Sequence, residues 1–302
     1  MSSKYRHKVV CFGEILWDIL PTGTVPGGAP MNVAYHLKKP GNEPALITRI
    51  GNDDWGKKLM ELIRQNDLTC YFFQRDYTLE TGKVYAKPNE HNEVAYDIIE
   101  PVAWDFIEWE DSFEEVTKNS EFFVFGSLAA RNSVSKETLF RLLEIAKNKV
   151  LDINLRSPHF NKRIVEELLQ KADFLKLNLA ELELITGWFS DYTNINDRIK
   201  SLRDRFSISN MVVTKGDAGA VLYINGDIIN HPGIKINVVD TIGSGDAFLA
   251  GLLSKLIEEK MHEEALEFAS GLGAFIATQR GACPVYEIEE IGKLIYNQNV
   301  AV

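Results

Sequence analysis

Asp240 and Asp246 bracket a run of small residues in VVDTIGSGDAFLAG (238–251), where an apolar pair enters a turn and an apolar stretch with helical spacing leaves it. Gly243 and Gly245 let the backbone aim successive N–H groups into one concavity, and a helix beginning near Gly245 adds its positive end. Such a turn suits an anion, and two carboxylates beside it oppose that use. The conflict disappears if a hydroxyl attacks a phosphoryl group there. Asp246 then accepts the hydroxyl proton, while the amides of Gly243, Ser244 and Gly245 hold the charge that spreads over the phosphoryl oxygens. Asp240, on the strand side, orients the turn or helps to hold a cation. An Asp in the first turn of a helix is also a common structural feature, so this spacing alone leaves both readings open.

Two other glycine stretches compete as phosphate sites. GNDDWGKK (51–58) follows G-x-x-x-x-G-K but has Lys58 where a metal-binding Ser or Thr belongs, and it carries Asp53 and Asp54 inside the loop. It reads as a turn and helix start. GSGDAF (243–248) opens like a dinucleotide fingerprint but has Phe248 at the third glycine and no βαβ unit after it, which weakens a nicotinamide reading.

Short apolar runs alternate with amphipathic stretches and position these turns. Strands are expected at 9–16, 44–51, 121–128, 150–156, 174–178 and 211–216. Helices are expected at 30–39, 54–66, 135–148 with Ser135 as N-cap, 245–260, 262–279 and 287–296. The alternation predicts one α/β domain over 1–302, a doubly wound, mostly parallel sheet with helices on both faces. TGKVYAKPNEHNEVAYDII (81–99) departs from it as two alternating runs about a polar turn. A strand with one polar face does not belong inside such a sheet, so residues of about 70–100, joined by 15–25, are read as a small β-lid. The lid can also serve as a homodimer contact.

The chain has 302 residues, 45% hydrophobic and 25% charged, with a net charge of −10. That charge argues against a broad nucleic-acid surface, so a bound phosphate must be held locally. The start, MSSKYRHKVVCFGEIL, has too short an apolar run for a signal peptide or membrane span. Cys11, Cys70 and Cys283 show no metal-binding spacing. The protein reads as cytoplasmic.

Six motifs in order resemble those of the PfkB, or ribokinase-like, carbohydrate kinases: GEILWDILP (13–21), GGAPMNVA (27–34), NLAE (178–181), TKGDAG (214–219), DTIGSGD (240–246) and RGA (280–282). Ser244 stands where that family usually has Ala. The resemblance spans about residues 9–298 and implies ATP and Mg²⁺ as cofactors. It implies Asp246 as catalytic base with Gly243, Ser244 and Gly245 as anion hole. Asp18, Gly28 and Asn32 fall on the sugar contacts. Asn178 and Glu181 fall on the motif that organises Mg²⁺ through water, and Thr214, Gly216 and Gly281 on the nucleotide contacts. Some relatives use K⁺, for which Asp240 and the Ile242 carbonyl are the candidate ligands. Apart from the resemblance, each of these residues also reads as an ordinary turn, cap or surface residue.

GEILWDILP, AWDF (103–106), GSLAAR (126–131) and DINLR (152–156) together resemble the fructokinase branch. This implies fructose and ATP giving fructose 6-phosphate. Arg131 and Arg156 lie at expected strand ends, where α/β proteins bind ligands. Either can neutralise a transferring phosphoryl group, contact substrate, or make surface salt bridges. They can also recognise a carboxylate, as in the related 2-keto-3-deoxygluconate kinases. A ribokinase-like kinase, a nucleoside kinase and a non-catalytic sugar sensor on the same fold compete with the fructose reading.

Overall fold

The computed structural model describes residues 7–21, 23–88 and 94–300. β1 (Val9–Phe12) leads into two strands of a second sheet, β2 (Leu16–Leu20) and β3 (Gly23–Gly27). Helix α1 (Ala29–Lys38) returns the chain to β4 (Ala45–Gly51). Helix α2 (Asp54–Gln65) and β5 (Phe73–Asp76) precede the hairpin β6 (Gly82–Pro88) and β7 (Val94–Ile98). The chain then alternates through α3 (Asp111–Asn119), β8 (Phe122–Gly126), α4 (Ser133–Leu143), β9 (Asn148–Asp152), α5 (Lys162–Leu169), β10 (Phe174–Asn178), α6 (Leu179–Thr186), α7 (Ile195–Phe206) and β11 (Asn210–Thr214). β12 (Ala220–Ile224), β13 (Asp227–His231), α8 (Ser244–Ile257), α9 (His262–Ala277) and α10 (Ile288–Val300) close it.

Nine strands form one sheet in the order β13-β12-β11-β10-β9-β8-β1-β4-β5. The ladders from β5 to β11 are parallel, and β12 and β13 add antiparallel at one edge. The expected mostly parallel, doubly wound sheet is thus present. Strand period decides its two cores: Val9 and Cys11 join a cluster with α1, α2, α8 and α9, while Val10 and Phe12 face the opposite cluster with α4, α5 and α7.

The second sheet has the order β3-β2-β6-β7. Leu16, Val84, Ile98, Val102, Trp104 and Leu128 form a separate buried cluster beneath it. This is the expected lid, with two corrections. The run at 9–16 is two strands, because Gly13 (φ 138°) redirects the chain and Leu16 starts the lid. Residues 73–76 leave the lid, because β5 satisfies the parallel ladder at the open edge of β4. The hairpin tip lies outside the described residues.

The helix expected at 135–148 runs from Ser133 to Leu143, and its cap is Asn132, which accepts from Val134 N. Ser135 instead donates to Trp104 O and accepts from Ile107 N, tying the helix to the footing of the lid. GNDDWGKK is a helix start, with Asp53 accepting from Gly56 N at 2.7 Å. No helix among the described residues is long and apolar enough to cross a membrane. The carboxyl ends of β9, β10 and β11 bring Asp152, Asn178 and Thr214 to one edge of the sheet, where open α/β folds bind ligands.

Candidate active site

The turn into α8 is held by Asp240. Its Oδ1 accepts from Ile242 N and its Oδ2 from Gly281 N, both at 3.0 Å, so one carboxylate fixes the early turn and the late turn together. Gly243 has φ 76°, and a Cβ there would come within 2.5 Å of Ala282 Cβ. Only glycine meets both demands. No side chain caps α8; Ser244 N bonds Thr241 O at 3.3 Å, and the positive end of the helix dipole lies at this turn.

Asp246 sits in that first turn, half-buried, and Asn32 Nδ2 donates to its Oδ2 at 2.8 Å. Burial pushes its carboxyl up to about 6, and Asp152 adds to the rise. Lys176, the Asn32 hydrogen bond and Arg156 oppose it. Such a group is ionised at neutral pH and can still take a proton, the balance a general base requires.

Beneath the turn lies a feature that the motifs did not reveal. Lys176 is buried and bonds both oxygens of buried Asp152, at 2.9 and 2.8 Å. A Cβ on Gly245 would stand 3.0 Å from Lys176 Nζ, so the ammonium supports the turn directly. Burial alone would lower the Lys176 pKa, but Asp152, Asp246 and Glu181 outweigh it and raise it. The ammonium therefore stays charged under the amides. A lysine and an aspartate inside the apolar runs FLKLN and VLDIN were the available signal, since such groups are seldom buried without a task.

Across the cleft, lid strand β2 carries Asp18. A Cβ on Gly27 would fall 2.1 Å from Asp18 Oδ2, so the carboxylate lies folded over that glycine. Gly28 has φ 110°, and its Cβ would meet Glu14 O at 2.5 Å. Burial pushes Asp18 up to about 6, Arg156 lowers it, and Asp240 raises it. Arg156 is exposed, and its charge favours the ionised form of both Asp18 and Asp246. The lid also meets the late turn: a Cβ on Gly281 would stand 3.8 Å from Val25 Cγ1 on β3. Cys283 Sγ donates to Asn32 Oδ1 at 3.3 Å, joining the late turn to the partner of Asp246.

Three expected site residues have roles that the motif pattern did not reveal. Arg131 is buried in the footing of the lid, where Nε and Nη2 reach Asp105 at 2.6 and 2.8 Å, Nη2 also reaches Ile99 O at 2.8 Å, and the guanidinium stacks 3.9 Å over Trp104. Asn178 and Glu181 form a capping box: Asn178 Oδ1 accepts from Glu181 N, and Glu181 Oε2 accepts from Asn178 N. Glu181 Oε1 accepts from Leu155 N, tying α6 to the loop before Arg156. Burial raises the Glu181 pKa, with Asp152 adding and Lys176 opposing. Each of these oxygens keeps a second lone pair, which suits them to metal-bound waters. Among the described residues, no group of three or more His, Cys, Asp and Glu side chains could cage a metal directly. Thr214 ends β11, and Gly216 (φ 60°) turns away from it with open space where a side chain would be. A surface groove of about 760 Å³ lined by Phe189, Tyr192 and Arg205 contains none of these groups.

Residues 7–288 match the family described as "pfkB family carbohydrate kinase". The chain is 29% identical over 305 residues to a probable fructokinase-7 of Arabidopsis thaliana, covering 91% of this chain and 88% of that one. A crystal structure of fructokinase from Xylella fastidiosa with bound ATP superposes with a TM-score of 0.86 at 22% identity, covering 98% of this chain and 100% of the other. A fructokinase of Vibrio cholerae O395 in fructose-, ADP- and calcium-ion-bound form gives 0.83 at 24% identity, with coverage of 96% and 99%.

Proposed function

The chain belongs to the pfkB family of carbohydrate kinases, and from that premise we propose that it transfers the γ-phosphoryl group of ATP to the primary hydroxyl of a free sugar, fructose giving fructose 6-phosphate. The observation that carries this reading is Asp246 in the first turn of a helix that no side chain caps, hydrogen-bonded to Asn32, with Arg156 acting on both Asp246 and the Asp18 carboxylate.

Asp18 accepts sugar O–H groups, as an ionised carboxylate can accept several at once. Gly27 leaves room for the Asp18 carboxylate to fold into place, and Gly28 for the close pass of the Glu14 backbone. The attacking hydroxyl lies against Asp246, which takes its proton as the oxygen bonds to phosphorus. The α8 amides and Lys176 hold the charge on the equatorial oxygens, and Arg156 screens it from the mouth. Positioning and fixed charge supply most of the acceleration. Asn178 and Glu181 would hold Mg²⁺ through water beside the phosphates, and the ion would supply further charge neutralisation there. Asp240 and the Ile242 carbonyl would serve a monovalent ion such as K⁺, which a comparison of turnover in K⁺ and Na⁺ tests. A homodimer through the lid belongs to the same reading and rests on exposed Tyr96 of β7; sedimentation tests it.

The experiment is a panel of free sugars with MgATP, scored by ADP release, with the product position assigned by NMR. We expect fructose to be turned over best, with phosphate on its primary hydroxyl. No ADP release with fructose, or better turnover of 2-keto-3-deoxygluconate or ribose, overturns the substrate assignment.

A further inference from the structure

Helix α1 begins at the sugar side of the cleft, and its start is chemically awkward. Its N-cap is Gly28, which has no side chain to cap with. A larger residue is barred there, because its Cβ would meet Glu14 O at 2.5 Å and Ile15 Cα at 3.0 Å. Gly27 is barred from a side chain by Asp18 Oδ2. Pro30 in the first turn has no N–H, and Asn32 N already bonds Gly28 O at 2.9 Å. The Ala29 amide therefore has no partner within its own segment.

Glu14, on the loop between β1 and β2, supplies one. Its Oε1 accepts from Ala29 N at 3.2 Å. The side chain is 2% exposed, and its other oxygen, Oε2, is buried without a partner. Keeping a carboxyl in such a place is costly. Burial, with the Asp246 carboxylate adding, pushes it up to about 7 against Glu14's own backbone N–H, the Ala29 hydrogen bond and the Arg131 charge. A core position tolerates this only if the oxygen does something that an apolar residue cannot.

We propose that Glu14 is a positioning residue for the sugar, capping α1 from outside the helix because the sugar-facing glycines cannot cap it themselves. By fixing Ala29 it sets the height and rotation of the first turn of α1. That turn carries Gly28 at the sugar and Asn32, whose amide reaches Asp246. The inference rests on the sugar-kinase reading above, and wild-type turnover of a sugar tests that reading separately.

Two conservative variants separate an oxygen placed as a cap from a charge. Glu14→Gln keeps an acceptor oxygen at the same reach and removes the charge. Glu14→Asp keeps the charge and withdraws the oxygen by one methylene. With ATP saturating, we expect Glu14→Gln to stay within about threefold of wild type in sugar KM. Glu14→Asp should raise sugar KM by about tenfold, with ATP KM within about twofold and kcat lowered less than sugar KM is raised. Sugar binding by calorimetry without ATP should follow the same order. Loss of sugar affinity in Glu14→Gln, unchanged sugar KM in Glu14→Asp, or equal loss for sugar and ATP overturns the proposal. A wild type inactive on every sugar refutes the kinase reading instead.

Discussion

The two walls of the cleft are built on different principles. The phosphate wall rests on the large sheet. Asp240 locks its two turns together, Gly243 packs against Ala282, and the Lys176–Asp152 pair is buried beneath it. The sugar wall is a four-stranded lid on a small cluster of its own, pinned by Arg131 stacked on Trp104. Its proposed reader, Asp18, stands on a strand whose outer half is only partly buried. In the proposed mechanism, the groups that must match a transition state within fractions of an ångström sit on the larger sheet, and the group that selects a substrate sits on the smaller, separately packed one. Damage to the first wall should therefore appear in kcat, and damage to the second in sugar KM.

The largest effect belongs to Gly243→Ala. The new methyl would stand 2.5 Å from Ala282 Cβ at a backbone angle that alanine resists. We expect kcat to fall by about two to three orders of magnitude together with a lower Tm, read by steady-state kinetics and thermal melting. Next is the pair beneath the turn. Replacing Lys176 alone would strand Asp152, so the informative variant is Lys176→Met with Asp152→Asn, which leaves no unpaired buried charge. Its kcat should fall by about two orders of magnitude with sugar KM nearly unchanged; a loss confined to KM would erase the distinction between the walls.

Asp18→Ala should raise sugar KM by about tenfold or more and leave ATP KM within about twofold. Equal loss for both ligands would place Asp18 outside the sugar wall. The mildest perturbation is pH. Both Asp246 and Asp18 are pushed up to about 6. Each works ionised, so lowering the pH through that value protonates base and reader together. The kcat/KM for sugar should be flat above neutrality and fall below about pH 6. A profile flat down to pH 5 would contradict both assignments.

Much of this was legible in the residues. DTIGSGD announced its own turn, because glycines at 243 and 245 and an acid at 246 have few joint explanations. The parallel core was legible because its strands are buried on both faces and read as unbroken apolar runs. The lid hairpin was legible because its runs alternate. Its other half, at 15–25, was legible as part of the lid, but not the break that starts it, because β2 continues the apolar run of β1 and only Gly13 marks the bend. The pair β12 and β13 turns on Asn225-Gly226, both at positive φ, a local hairpin signal outside the expected strands. Lys176 was hidden because its partner Asp152 lies on the neighbouring strand, and strand neighbours are fixed by topology. For the same reason the N-x-x-E pattern offered Asn178 as a cap but not the link from Glu181 to the loop at Leu155.

The central claim is that a carboxylate at position 246 removes the sugar proton while the turn beside it holds the phosphoryl group. Asp246→Asn tests it most directly, since the substitution keeps the shape and the partnership with Asn32 while removing the base. Turnover with fructose and MgATP should fall by about two orders of magnitude or more, while fructose affinity by calorimetry stays within about threefold. Turnover within about tenfold of wild type would contradict the account.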